Sequence, residues 1–392
     1  MVREGGKRVV KKPALIICLI IALLSWGALA AALELNGKAA LLADPFSGRI
    51  FYESNSEDQL PVASISKLMT LVLVLEALER EEINLTDLVT ASPFAASKRG
   101  TRIWLEEGEE LQLEELLYAI AVGSANDAAV ALAEFVAGSE ENFVQLMNER
   151  GTELGLTKTV FHNCSGLPVD GGEPNQMSAR DIALLAAHAL RVPNLMNYVS
   201  TYEYTMRADS TKIPVLWNPN KLLRRYYGAD GLKTGFTSEA GYCLAATAKR
   251  DQLRLIAITL GCTDESEREN DARLLLDYGF RKYHAVQLYP ENAAVTSLNC
   301  GNGQPGTVDV VVPKDFYVTV ERNKELDLTT VIRLNPELKA PLAAGDVVGS
   351  VTAFYEEEMV GASPLIVPTE VVKAKLGTMI WRLGRKLGQA IF

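Results

Sequence analysis

The chain has 392 residues, is 48% hydrophobic and carries a formal net charge of −10. It is long enough to bury a sizeable core and to form two or three domains, and its acidic balance excludes nucleic acid as an expected partner. Neither a Cys-x-x-Cys nor a His-Glu-x-x-His occurs, so no metal and no cofactor is expected.

The elements begin with a targeting segment. Arg3, Lys7, Arg8, Lys11 and Lys12 form a basic stretch, Ala14 to Leu24 is apolar, and Ala28-Leu29-Ala30 supplies the small residues that a signal peptidase reads. Residues 1–30 are expected to be a signal peptide that exports the chain. The apolar run is short for a full span, which speaks against an uncleaved anchor. Next, KAALLAD and RIFYES flank Pro45-Phe46-Ser47-Gly48, turn residues that predict a hairpin. A mainly helical stretch follows to about Leu195. GYCLAATAK and RLIAITLG then flank Arg250-Asp251-Gln252, a second hairpin expected to pair with the first in one antiparallel sheet. Helices covering that sheet, with a helical lobe, make an α+β domain over residues 31–283. From there to residue 367, short apolar runs such as TVDVVVP, FYVTVE and TTVIRL predict a small all-β domain, 284–367.

Residues 368–392 close the chain. On a helix from about Thr369, the residues Val372, Leu376, Met379, Ile380, Leu383, Leu387 and Ile391 form an apolar stripe, with Lys373, Lys375, Arg382, Arg385 and Lys386 largely outside it. The pattern predicts an amphipathic helix on an anionic membrane surface, placing the exported protein peripherally on the outer face of the cytoplasmic membrane.

Three segments carry the chemistry. Ser64 precedes Lys67 by three residues in PVASISKLMT, at the head of an apolar helical run. Helical spacing puts both side chains on one face, where the amine can take the hydroxyl proton, and the helix start points free N–H groups at any oxygen that becomes negative. Lys67 must then be neutral. Burial and a second cation, expected to be Lys233, would both favour that form. Ser124-Ala125-Asn126 follows the apolar run LEELLYAIAV, and Lys233-Thr234-Gly235 opens the stretch FTSEAGYCLAATAK, read as one strand. Alone, the second motif reads equally as a helix cap and the third as a turn. In this order the three form the set found in penicillin-binding proteins and class A β-lactamases.

Over roughly residues 35 to 365 the chain resembles the serine-type D-alanyl-D-alanine carboxypeptidases among the low-molecular-mass penicillin-binding proteins. The runs FVQLMNERGTELGLTKTVFHNCSGLPVDG, MSARDIALLA, NPNKLL and DGLKTGFTSEAGYCLAATAKR carry the resemblance beside the three motifs. It implies a β-lactamase/transpeptidase-like first domain, with Ser64 as nucleophile, Lys67 as general base, and Ser124 and Asn126 in the proton relay and on the substrate amide. It implies an oxyanion hole from the backbone N–H groups of Ser64 and Phe236. Substrate binding would fall to Lys233, Thr234, Gly235, Thr237 and Arg268, with Thr234 and Arg268 on the terminal carboxylate. Implied partners are peptidoglycan stem peptides as substrates and β-lactams as covalent inhibitors. The chain departs from the family at Cys164, where a small or polar residue is commoner, and at Phe236, where histidine is also common; Phe236 is expected to be a wall of the cleft.

The alternatives are weaker. A class A β-lactamase deacylates with a glutamate on a separate loop, and no Glu-x-x-Leu-Asn segment lies between Asn126 and Lys233. Three intact motifs speak against a non-enzymatic membrane-bound scaffold. Only His162, His188 and His284 exist, without a Gly-x-Ser-x-Gly elbow, which disfavours a Ser-His-Asp triad. Arg268 has a competing reading as a surface residue balanced by Asp264, Glu265, Glu267 and Glu269. Cys164, Cys243, Cys262 and Cys300 are expected to be mostly free thiols, with Cys243 and Cys262 the alternative pair.

Overall fold

The structure, a computed structural model, describes residues 33–168, 172–207, 215–300, 302–335, 338–378 and 380. The expected signal peptide lies outside the described residues. The first predicted hairpin forms as β1 (Ala39–Ala43) and β2 (Ile50–Ser54). Its turn is held by Asp44, whose carboxylate accepts from the Phe46 N–H at 2.8 Å. A single 3-10 turn, Ala63–Ser66, leads into helix α1 (Lys67–Glu79). Every residue of α1 from Lys67 to Leu75 is buried. A helix buried on all sides belongs inside a lobe, and here α2 (Leu113–Ala121), α3 (Asn126–Ala137), α4 (Glu140–Glu153) and α5 (Ala179–Ala189) surround it. Polar caps start two of these helices: the Ser139 and Ser178 hydroxyls accept from the Asn142 and Asp181 N–H groups.

The sheet is completed by β3 (Ala229–Thr237), β4 (Gly241–Arg250) and β5 (Leu253–Cys262), followed by helix α6 (Glu265–Lys282). Its order is β2-β1-β5-β4-β3, so the two predicted hairpins do pair, through β1 and β5. Ile258 of β5 stands between Leu41 and Ala245. The stretch read as one strand is in fact two. Lys233-Thr234-Gly235 lies inside β3, at the sheet edge, and Ser238–Ala240 turns the chain into β4. The Thr237 hydroxyl accepts from the Ala240 N–H at 3.1 Å, a side-chain turn that breaks the strand where Ser-Glu interrupts the apolar pattern.

Strand β6 (Tyr283–Tyr289) follows α6 directly. Beyond it come β7 (Ala294–Asn299), β8 (Thr307–Val311), β9 (Phe316–Glu321), β10 (Leu328–Leu334), β11 (Val347–Tyr355) and β12 (Glu358–Ile366). Strand β6 pairs with β9, and the others form a sheet of order β7-β8-β12-β11-β10 around a second core that includes Val310, Val351 and Leu365. The tail departs from expectation. Val372–Lys373 is a strand paired with Gly303–Gln304, and Val371, fully buried, exchanges backbone hydrogen bonds with Leu342. The helix expected from Thr369 therefore begins only at Leu376. Two adjacent β-branched residues, one plugged into the β core, outweigh a helical periodicity that they also happen to fit. Residue 379 and residues 381–392 lie outside the described residues.

The four described cysteines, Cys164, Cys243, Cys262 and Cys300, are buried free thiols. Burial pushes the Cys243 thiol up to about 11 and that of Cys262 to about 12.

Candidate active site

Lys67 is the centre of the site, and it is fully buried. Its Nζ lies 2.9 Å from Ser64 Oγ, 2.6 Å from Asn126 Oδ1 and 2.6 Å from the Ser165 carbonyl oxygen. The last two are acceptors only. The amide orientation of Asn126 is fixed because its Nδ2 donates to the Arg99 carbonyl at 2.7 Å. A neutral amine has two N–H bonds, which these acceptors consume, so its lone pair is left facing the Ser64 hydroxyl. Burial lowers the Lys67 pKa to about 7, against the opposing pull of Cys164 and Asp127. The expected second cation is not the cause at Lys67. The repulsion between the two lysines is felt at Lys233, which burial, then Lys67, then Arg268 hold well below the usual lysine range.

The second and third motifs meet across the cleft. Lys233 Nζ donates to Ser124 Oγ at 2.9 Å and to the Thr234 carbonyl at 3.1 Å. The expected relay is thus divided into two pairs, Ser64 with Lys67 and Ser124 with Lys233. Among the described residues no hydrogen bond joins Ser124 to Ser64 or Lys67. Ser124 has a φ of +56°, a left-handed conformation that costs of order 1 kcal/mol or more for a serine and places its hydroxyl between the lobes. Asn126 begins α3, and its N–H donates to the Thr101 carbonyl at 2.7 Å.

Gly235 lets backbone reach the nucleophile turn. A Cβ on Gly235 would stand 2.5 Å from the Val62 oxygen and 3.2 Å from the Ile65 nitrogen, so edge strand β3 packs directly on the turn that carries Ser64. The neighbouring Phe236 continues this edge strand past the nucleophile turn. The Phe236 side chain is half exposed and packs on Tyr242 with ring centroids 4.3 Å apart, consistent with a cleft wall.

Against this geometry, the family model described as D-alanyl-D-alanine carboxypeptidase matches residues 27–264. The chain belongs to this family. A second model, described as penicillin-binding protein 5, C-terminal domain, matches residues 283–373. D-alanyl-D-alanine carboxypeptidase DacF of Bacillus subtilis (strain 168) is 35% identical over 348 residues, which cover 88% of this chain and 89% of that protein. The solved structure of penicillin-binding protein 5 from Haemophilus influenzae superposes with a TM-score of 0.70 at 29% identity, covering 87% of this chain and 98% of that one. Penicillin-binding protein D2 from Listeria monocytogenes, in its cefotaxime-bound form, gives a TM-score of 0.58 at 33% identity over 63% of this chain and 98% of its own. The chain is a serine-type D-alanyl-D-alanine carboxypeptidase with a penicillin-binding fold.

In this carboxypeptidase, Arg268 is not a surface residue: it is only 3% exposed. Of its four acidic neighbours in sequence, Glu265 pairs with it at 3.0 Å, whereas Asp264 caps α6 and Glu267 and Glu269 engage Thr263 and Arg225. Its guanidinium lies over the Tyr242 ring, and Nε is buried without a partner among the described residues. Cys164 is no disturbance either. Its thiol and N–H both go to Glu140 Oε1 at 3.1 Å, and burial with Glu140 keeps the thiol protonated.

Sequence reasoning missed the part played by Ser165, whose carbonyl meets Lys67 from the loop around Cys164. Asn163 Oδ1 accepts from the Gly166 N–H at 2.6 Å and the Ser165 N–H at 3.1 Å. Asn175 Oδ1 accepts from the His162 and Asn163 N–H groups, and Thr70 of α1 ties the Cys164 carbonyl at 2.6 Å. The Asn-x-Ser-Gly pattern is the turn chemistry that could have flagged it. The histidines lie elsewhere: His188 bonds Glu76, His284 bonds Glu325, and His162 sits 3.5 Å from Glu173.

Proposed function

We propose that the chain removes the terminal D-alanine from peptidoglycan stem peptides through an acyl-Ser64 intermediate that β-lactams trap. The observation that carries this reading is the Lys67 amine, with two hydrogen bonds committed to acceptors and its third position on Ser64 Oγ. Lys67 takes the Ser64 proton as Oγ attacks the carbonyl of the penultimate residue. The N–H groups of Ser64 and Phe236 receive the developing oxyanion, a contribution worth roughly 10²–10³ in turnover per donor. The Lys67 ammonium gives the Ser64 proton to the departing amine of D-alanine, beside the Lys233–Ser124 pair, and is neutral again. Neutral Lys67 then takes a proton from water as its oxygen attacks the ester, and hands it to Ser64 Oγ as the acyl group leaves. Thr234 and Thr237 hydroxyls, with the positive charges of Lys233 and Arg268, hold the terminal carboxylate.

Slow release of a β-lactam acyl group follows from the carboxylates. Glu140 is committed to Cys164 and Lys98, and Asp127 accepts from the Ile103, Leu105 and Ala128 N–H groups. Among the described residues no carboxylate is hydrogen-bonded to Ser64 or Lys67, which disfavours the β-lactamase reading. The basic leader with its Ala-x-Ala site supports export, and the exposed Leu376 and Ile380 support a tail that rests on the outer face of the cytoplasmic membrane.

The test is Ser64→Ala. Labelled penicillin and D-alanine release from a pentapeptide should both be lost, because one hydroxyl performs both reactions. Persisting D-alanine release would mean that another residue is the nucleophile.

A further inference from the structure

Strand β10 (Leu328–Leu334) closes one side of the β-domain sheet, and among the described residues no strand pairs with its outer edge. Its ladder to β11 runs over all 7 residues without a register shift. By contrast β7, the opposite edge of the same sheet, is irregular against β8 between Ala294 and Thr296. Bulges, prolines and charges are the usual means of keeping a sheet edge from pairing. Strand β10, LTTVIRL, has neither a bulge nor a proline, and its single charge is Arg333. The Asn335 N–H donates to the Val348 carbonyl at 2.9 Å, in step with the β10–β11 register, so Thr329, Val331 and Arg333 turn their N–H and C=O groups toward β11. Thr330, Ile332 and Leu334 therefore present theirs to the open edge.

The side chains define what completes it. Leu328, Thr330, Ile332 and Leu334 share the core face, where their partners on β11 include the fully buried Val351 and Ala353. Ile332, opposite Val351, is nonetheless 39% exposed, and Val331 on the other face is 41% exposed, so the apolar surface runs on past the last strand. A second β10 laid antiparallel across a twofold axis at Val331 overlaps the whole strand. Thr330 then faces the second copy's Ile332, Leu328 faces its Leu334, and the two Val331 residues face each other in a close, non-hydrogen-bonded pair. The outward amides of Thr330, Ile332 and Leu334 meet carbonyls of the second copy's Ile332, Thr330 and Leu328, and the two Ile332 side chains become diagonal neighbours on the core face. Charge agrees with this register. Arg333 and Asp327, the residue just before the strand, have no ion-pair partner among the described residues and lie too far apart along one chain to meet. Across the axis each Arg333 is diagonal to the second copy's Asp327, within reach of a long side chain.

We infer that β10 is a dimerisation edge that joins the β domains of two copies of this chain into one continuous antiparallel sheet. The inference does not depend on the peptidase reading. Val331→Cys tests the register: Cα atoms facing each other in such a pair are about 4.5 Å apart, within the span of a disulfide, so mild oxidation should cross-link this variant into a dimer on a non-reducing gel. Thr329→Cys, on the same face, should not cross-link, because the two Thr329 positions are offset by roughly 13 Å along the strands. Sedimentation equilibrium of the full chain in detergent should show a concentration-dependent dimer. Val331→Lys, which sets two ammonium groups against each other at an exposed position, should abolish it while leaving hydrolysis of a soluble peptide at the wild-type rate. A wild-type chain that is monomeric at every concentration overturns the edge, as does a Val331→Lys chain that dimerises as well as wild type; equal cross-linking at positions 329 and 331 overturns the twofold at Val331.

Discussion

Gly166 stands so close to Ala63 that a Cβ built on it would lie 1.9 Å from the Ala63 carbonyl oxygen and 3.0 Å from the Ser64 nitrogen. The glycine has a φ of +81°, and Ala63 itself is left-handed at +46°. The obstacle is backbone, so no rotamer change can relieve it. Gly166→Ala should push the loop off the nucleophile turn and carry the Ser165 carbonyl away from Lys67. A displacement near 1 Å costs roughly 10²-fold in rate. Stopped-flow acylation by a labelled penicillin checks this, with circular dichroism to confirm the fold; wild-type acylation would show that the loop does not set the geometry of Ser64.

The pH dependence follows from Lys67. Its pKa is lowered to about 7, and the base must be neutral, so acylation should rise as pH increases through about 7 and then level off. Measuring kcat/KM for penicillin acylation from pH 5 to 10 tests this. A profile that is flat between pH 6 and 8 would require a different base.

Arg268 should act on the substrate terminus. It is buried beside Tyr242, pairs among the described residues with one acid, Glu265, and depresses the pKa of Lys233, which places its charge close to the third motif. Arg268→Ala should lower kcat/KM about 10- to 100-fold on peptides with a free C-terminus, and less on C-terminally amidated analogues. Equal losses on the two substrates would confine Arg268 to supporting β4.

The parts of this site that could be read from sequence are those that depend on short spacing. Ser64 and Lys67 meet because a helical register brings them together, and the hairpins follow from Pro-Phe-Ser-Gly and Arg-Asp-Gln between apolar runs. The Ser165 carbonyl could not be read, since every residue has one and only the fold of the 161–167 loop aims this one at Lys67. The division of the relay was hidden as well, because the left-handed φ of Ser124 decides which lysine its hydroxyl meets. The position of Lys233-Thr234-Gly235 inside an edge strand is hidden because Lys-Thr-Gly has turn chemistry of its own, while Thr237-Ser238-Glu239, where the chain does turn, lies inside a stretch that reads as one strand.

The tail tests both the corrected boundary and the proposed anchor. Val371 is fully buried in the β core, Val372–Lys373 pairs with Gly303–Gln304, and the Ala374 N–H donates to the Asn302 carbonyl at 2.8 Å. Leu376 and Ile380, by contrast, are largely exposed. A chain ending at Lys375 should keep its Tm and its activity on a soluble peptide, yet fail to sediment with anionic vesicles. A chain ending at Pro368 removes Val371 as well, and burial of one valine alone is worth about 1.5–3 kcal/mol. Its β domain should therefore melt several degrees earlier. Equal melting of the two truncations would show that residues 369–375 do not belong to the β core, and full vesicle binding by the Lys375 chain would place the anchor elsewhere.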